Sequence, residues 1–324
     1  MWMSTGGRSS TADSPIGPGF AVESSRRHLY TRPVADASLK TLSGRRARIS
    51  ARREAWLERD ADRYRLAEEL AGRAQVSIPP EDGFVVLPPG RFEGAEAVVA
   101  AANELIDGIG HDELMSKNTK DGFMAKGFLP ESAFQLDSPY MRFILGEDVI
   151  GAVSRYLGLV PVLNRVDVWY SAHAREAPKS SQRWHLDSAD TTQVKVWIHL
   201  SDVGPASGPL TVVGASTSEQ VADEIGYDFG EGHRVPDERF LELAGPSVTA
   251  LEGPTGTVHF VDTSRCFHFG SRVDEGGTPR RVFMVQYLTP YAFRFKSDHV
   301  GRAPFKELVS DDASELKRLL LGVS

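Results

Sequence analysis

Large apolar side chains are sparse over residues 1–45. Over 46–75, Ile49, Trp56, Leu57, Tyr64, Leu66 and Leu70 are spaced among Arg, Glu and Asp, the rhythm of an accessory helix with one solvated face. From residue 76 onward the apolar runs shorten. Gly83-Phe84-Val85-Val86-Leu87 reads as a buried strand closed by Pro88-Pro89-Gly90. Helices are expected over 95–109 and over 138–157, the second with Pro139 in its first turn and Gly158 at its end. A loop holding residues 123–128 separates them.

After Gly158 the pattern changes to short β-rich runs between turns, at 162–171, 191–200, 210–213, 256–262 and 281–288. Such strands after a helical first half predict an α+β, mainly β fold. Its core is a double-stranded β-helix, the cupin-like jelly roll, with helices packed on one face and an N-terminal helical extension. The stretch 216–243, with Asp228-Phe229-Gly230-Glu231-Gly232-His233, reads as an insertion that lids or walls a pocket. Residues 311–320 read as a short terminal helix. The expected organisation is a disordered tail over 1–45, an accessory helix over 46–75, a jelly-roll domain over 76–300 and a helical segment over 301–324.

Composition narrows the partners. At 324 residues and 41% hydrophobic the chain can fill a substantial core. A net charge of −7 favours neither nucleic acid nor an anionic membrane surface, which leaves a small-molecule substrate. Cys266 is the sole cysteine, so an internal disulfide and a Cys-rich zinc or iron–sulfur site are excluded, and a reducing cytoplasm is the expected location. No run of eighteen apolar residues and no secretory signal core is visible. The Arg- and Ser-rich start resembles a transit peptide in composition but lacks the amphipathic pattern of one. Composition distinguishes neither a monomer nor a homo-oligomer.

The candidate chemistry sits at Trp184-His185-Leu186-Asp187. In an extended segment alternate side chains share a face, so His185 and Asp187 aim at one point. His-x-Asp alone recurs by chance. A second imidazole from a neighbouring strand would complete the facial 2-His-1-carboxylate set of non-haem Fe(II), with positions left for a cosubstrate and for O2. His268, in Cys266-Phe267-His268-Phe269-Gly270, follows a strand and a short connection, and Gly270 lets backbone approach closely. His259 lies in a strand where a core or surface role fits better, and His199 sits in an apolar run; the other histidines lie in loops or tails without a matched partner. Alternation also puts Gln193, Lys195 and Trp197 on one face. Turned inward, Trp197 walls a pocket and Lys195 or Gln193 touches a carboxylate; turned outward, all three are surface residues.

The order of these motifs resembles the phytanoyl-CoA dioxygenase family of Fe(II)/2-oxoglutarate oxygenases. The similarity spans roughly residues 78–290 by motif order. It runs through Trp184-His185-Leu186-Asp187, the runs 194–203, 208–216 and 256–262, His268, and Pro279-Arg280-Arg281-Val282. Gly214-Ala215-Ser216-Thr217 stands where family members usually carry Pro-Gly-Ser-His, and the segment between His268 and Arg280 is one residue longer than common. The resemblance implies a jelly roll with His185, Asp187 and His268 on Fe(II), and with 2-oxoglutarate and O2 as further reactants. It implies Arg280 as the guanidinium that neutralises the distal carboxylate of 2-oxoglutarate, with Arg281 on the opposite face of the strand. Lys126 matches a lysine with which some relatives hold the cosubstrate. The implied reaction is hydroxylation of an unactivated C–H bond of a small metabolite, with release of succinate and CO2. Asp187 speaks against halogenation, because related halogenases carry a small residue there. The alternatives are a cupin-like metal-dependent isomerase or hydrolase without 2-oxoglutarate, or a non-catalytic ligand-binding descendant. A buried Arg280 argues against the first, since it serves a diacid, and the intact triad argues against the second.

Overall fold

The structure is a computed structural model that describes residues 39–116, 119–229, 234–293 and 305–323. Most of the expected tail, residues 1–38, lies outside this range, as do 230–233 of the insertion and 294–304. The strands are β1 (Phe84–Leu87), β2 (Thr119–Lys120), β3 (Met124–Ala125), β4 (Val162–Ser171), β5 (Gln193–His199), β6 (Leu210–Val213), β7 (Val248–Leu251), β8 (Val258–Val261), β9 (His268–Phe269) and β10 (Arg280–Leu288). The helices are α1 (Leu42–Ala55), α2 (Ala61–Ala71), α3 (Ala95–Ile109), α4 (His111–Ser116), α5 (Pro139–Ile144), α6 (Glu147–Leu157), α7 (Ala215–Glu224), α8 (Asp237–Ala244) and α9 (Glu315–Leu320).

Among the described residues the strands form two antiparallel sheets. The larger has the order β1-β8-β5-β10-β4-β3-β2 and the smaller β7-β6-β9. Alternation along the long strands decides what each face buries. Val194, Val196 and Ile198 of β5 and Phe283 and Val285 of β10 point to one side, where they join Val98, Ala102 and Ile106 of α3. The intervening positions Trp197, Val282 and Met284 point to the other side and pack against Leu210 and Val212 of the small sheet. A sheet covered on both faces buries both sets of alternate positions, and β5 is buried at every position and β10 at all but Arg281. The result is a jelly roll with helices on one face, its interior lying between the two sheets.

Three local details differ from the sequence expectation. The accessory helix is two helices, and the first begins at Leu42, where Thr41 Oγ1 accepts from the backbone N of Gly44 at 3.1 Å. The break lets Trp56 reach the Tyr291 ring at 6.0 Å while Arg63 turns inward to donate to the carbonyls of Val160, Pro161 and Leu319. Gly146 leaves the helical conformation and caps α6, so the helix expected over 138–157 is α5 followed by α6. Within the expected loop, Met124 and Ala125 form a short strand paired with Ser171 and Tyr170 of β4 on one side and with β2 on the other.

The insertion between β6 and β7 carries α7 and α8. It stacks Phe240 on Trp184 with ring centroids 4.2 Å apart and Phe240 against Phe267 at 5.0 Å. It therefore braces the segment that holds His185. Among the described residues no helix is long and apolar enough to cross a membrane.

Candidate metal centre

His185 and His268 are joined through the backbone. Each amide N donates to the carbonyl of the other at 3.1 Å in an antiparallel bridge, and the ring centroids lie 4.3 Å apart. His185 Nδ1 is 2.8 Å from the carbonyl of Arg183, and His268 Nδ1 is 3.0 Å from that of Cys266. A carbonyl can only accept, so each Nδ1 carries the proton and each Nε2 keeps its lone pair. Asp187 completes the group, its amide N donating to the Thr263 carbonyl at 2.8 Å. His185 Nε2 lies 3.9 Å from Asp187 Oδ1 and His268 Nε2 lies 3.9 Å from Oδ2. That is too long for hydrogen bonds, and the three candidate ligand atoms fall within 4.8 Å of one another.

Electrostatics favour the ligand forms. Burial, then the neighbouring His268, pulls His185 well below its ordinary value. Burial pulls His268 down to about 4. Burial opposes ionisation of Asp187, but the Lys195 ammonium, followed by the two imidazoles, holds its carboxyl well below the usual range. At neutral pH the group is therefore two neutral imidazoles and one carboxylate.

The inward face of β5 orients that carboxylate. Lys195 Nζ lies 2.5 Å from Asp187 Oδ2 and Gln193 Nε2 lies 3.2 Å from the same oxygen. Gln193 is fixed in turn: its Oε1 accepts from Gln286 Nε2 at 2.6 Å, and Gln286 Oε1 accepts from Asn164 Nδ2 at 3.0 Å. A chain of amides thus crosses β4, β10 and β5 and ends on Asp187. Lys195 and Trp197 line the interior cavity, and Lys195 and Gln193 both reach a carboxylate, that of Asp187.

Arg280 and Arg281 divide between the two faces of β10. Arg281 leaves the interior and pairs with Asp107 at 2.7 Å. Arg280 is buried and donates from Nη2 to Ser271 Oγ at 2.9 Å, while its Nε has no partner. No described carboxylate lies within ion-pair distance of it, and burial alone brings the guanidinium down to about 10. His199 and His259 form a separate buried pair, ring centroids 4.4 Å apart.

A cavity of about 160 Å³ connects these groups. Its walls include the three clustered side chains together with Arg280, Lys126 and Trp197. The next residue after Lys126, Gly127, is fixed by its amide donating to Asp167 Oδ1 at 2.9 Å. Lys120, Arg234 and Gln286 also line the cavity and were not singled out in the sequence. Gln286 was detectable, since it interrupts an otherwise apolar run at an inward position of β10. Lys120 and Arg234 lie outside any long periodic element.

No family model matches the chain, and no curated protein matches it. Among solved structures, AviO1 from Streptomyces viridochromogenes Tue57 is similar at 20% identity and TM-score 0.46, over 67% of this chain and 94% of that one. The non-heme alpha-ketoglutarate-dependent epimerase SnoN from nogalamycin biosynthesis is similar at 20% identity and TM-score 0.47, over 81% and 92%. EctD from S. alaskensis, solved with 2-oxoglutarate and 5-hydroxyectoine, is similar at 15% identity and TM-score 0.46, over 68% and 80%.

Proposed function

We propose that the chain is an Fe(II)/2-oxoglutarate-dependent dioxygenase of the phytanoyl-CoA dioxygenase type. It hydroxylates an unactivated C–H bond of a small metabolite with release of succinate and CO2. The observation that carries the reading is the pairing, in one cavity, of the His185, Asp187 and His268 cluster with a buried guanidinium that has no carboxylate partner among the described residues. Two Nε2 lone pairs and one carboxylate suit one face of an octahedral Fe(II) site. The unpartnered Arg280 Nε suits a ligand carboxylate, which a guanidinium takes with two parallel hydrogen bonds. The cupin-like readings without 2-oxoglutarate give Arg280 no partner.

In this reading His185, Asp187 and His268 hold the iron, whose contribution when bound is activation of O2 coupled to decarboxylation of the cosubstrate. Arg280, steadied by Ser271, anchors the distal carboxylate. Lys195 and Gln193 hold Asp187 Oδ2 and so present Oδ1. Trp197 and Met284 wall the cavity and limit water. Lys126 stands on the same wall as a further cosubstrate contact. A cytoplasmic location is proposed with the enzyme, on its single, buried cysteine.

Anaerobic titration of the metal-free protein with Fe(II) and then 2-oxoglutarate tests the reading. The expected result is the weak visible charge-transfer band of the chelate in wild type and its loss in His268→Ala. The same band in both proteins would remove His268 from the iron.

A further inference from the structure

We infer that Lys120 and Arg234 form a second oxyanion subsite in the cavity, one that receives a carboxylate or phosphate of the primary substrate. Assignment to the primary substrate rests on the Fe(II)/2-oxoglutarate reading, in which Arg280 already serves the cosubstrate.

The two cations come from distant parts of the chain and meet on one turn. Lys120 Nζ donates to Ser181 Oγ at 2.9 Å, and Arg234 Nη1 donates to the carbonyl of Ser180 at 2.9 Å. That turn is rigidly tied to the candidate ligand strands. The Ser181 carbonyl accepts from Gly270 N at 3.2 Å, and Gln182 Nε2 donates to the Ser271 carbonyl at 2.8 Å. Arg234 is itself placed by its neighbour, since Val235 N donates to the Trp184 carbonyl at 2.8 Å, one residue before His185.

Among the described residues their charge has no sufficient counterpart. The carboxylates that face them are Asp187 and Asp121. Asp187 is already held by Lys195 at 2.5 Å, and Asp121 is exposed at the surface. Another cavity cation, Arg165, is neutralised by Asp167 at 2.8 Å, whereas the hydrogen bonds of Lys120 and Arg234 to described residues go to neutral oxygens. Burial first, then the neighbouring Lys126 and Arg234, brings Lys120 down to about 8. Holding two such half-buried cations together on one turn is unfavourable unless an anion joins them.

The hydrogen bonds of the pair are separate from that of Arg280: Lys120 and Arg234 hold Ser181 Oγ and the Ser180 carbonyl, whereas Arg280 holds Ser271 Oγ. The bridge between Val235 and Trp184 sets Arg234 against the segment that carries His185. An oxyanion on Lys120 and Arg234 therefore lies beside the iron ligands, where a substrate carbon has to be presented. In a chain of net charge −7 a cationic cavity also draws an anion inward.

The test loads the protein with Mn(II) and 2-oxoglutarate and titrates inorganic phosphate, propionate and the neutral propionamide by calorimetry. Phosphate or propionate is expected to bind and propionamide is not; the tighter anion identifies the group. Lys120→Gln and Arg234→Gln are each expected to weaken that anion tenfold or more, with 2-oxoglutarate affinity changed less than twofold. Arg280→Gln is expected to do the reverse. Thermal midpoints at or above wild type in the two Gln variants check that they fold. Equal binding of propionamide, absence of anion binding, or a loss of 2-oxoglutarate affinity in Lys120→Gln or Arg234→Gln as large as in Arg280→Gln overturns the subsite. If 2-oxoglutarate fails to load on wild type, the oxygenase reading is what fails. The same anion titration on metal-free Arg280→Gln then decides the subsite alone.

Discussion

Lys195 Nζ sits 2.5 Å from Asp187 Oδ2, so the ammonium takes the carboxylate oxygen nearer His268 and leaves Oδ1 beside His185. A partner that orients a metal-binding carboxylate commonly changes metal affinity by about 10–100-fold when removed. Lys195→Met is expected to weaken Mn(II) binding within that range by calorimetry or spin resonance. It also leaves a partly buried carboxylate with Gln193 as its main donor, at a cost of about 1–3 kcal/mol in urea unfolding. Unchanged Mn(II) affinity would show that the pair orients nothing.

In the proposed reading Arg280 trades stability for binding. A buried guanidinium with one hydrogen bond and no described carboxylate is unfavourable in the ligand-free fold, while the same charge would give the cosubstrate its anchor. Arg280→Met is expected to raise ligand-free stability by about 1–3 kcal/mol and to lower 2-oxoglutarate affinity by two orders of magnitude or more. Arg280→Lys should retain part of that affinity, because an ammonium supplies the charge without the paired donors. A less stable Arg280→Met protein would mean that the guanidinium serves the fold.

Arg280 also shows what the sequence makes legible. Period-2 alternation over β10 is long enough to put Arg280 inside and Arg281 outside, and the same alternation turns Gln193, Lys195 and Trp197 to one face. Alternation could not say which face was inner, because both faces of β5 are buried. Nor could it show β2, β3 or β9, each two residues long, too short to display a period. Lys120 and Arg234 escaped for that reason: one is on β2 and the other is placed by a single bridge between Val235 and Trp184. The split of the accessory helix depends on Trp56 and Arg63 finding partners far along the chain, which local spacing does not encode.

Asp262 gives the fold a pH dependence of definite sign. Its carboxyl accepts from Tyr156 Oη at 3.0 Å and from the amides of Ser264 and Arg265 at 3.0 and 3.2 Å, yet burial outweighs these and raises it from 3.8 to about 7. The folded state thus favours the protonated form. Its stabilising contribution is complete below the unfolded value and is lost as pH rises through the folded one. Wild type minus Asp262→Asn stability, measured by urea unfolding, is expected to fall by roughly 2–4 kcal/mol between pH 4 and pH 8. A difference that stays flat or rises with pH would contradict the buried, protonated carboxyl.

Phe240 carries the insertion's influence on the site. It is fully buried, stacks on Trp184 at 4.2 Å and meets Phe267 at 5.0 Å; these two partners immediately precede His185 and His268. Phe240→Ala removes the ring behind both segments and is expected to destabilise by about 3–5 kcal/mol. Phe92→Ala is the matched control, since Phe92 packs on Phe143 and Phe260 on the helical side of the large sheet and should cost a similar amount. Under conditions where both variants remain folded, Phe240→Ala should weaken Mn(II) binding severalfold and Phe92→Ala should leave it at the wild-type value. If the two variants lose Mn(II) affinity equally, the loss follows global stability and α8 has no specific part in positioning the histidines.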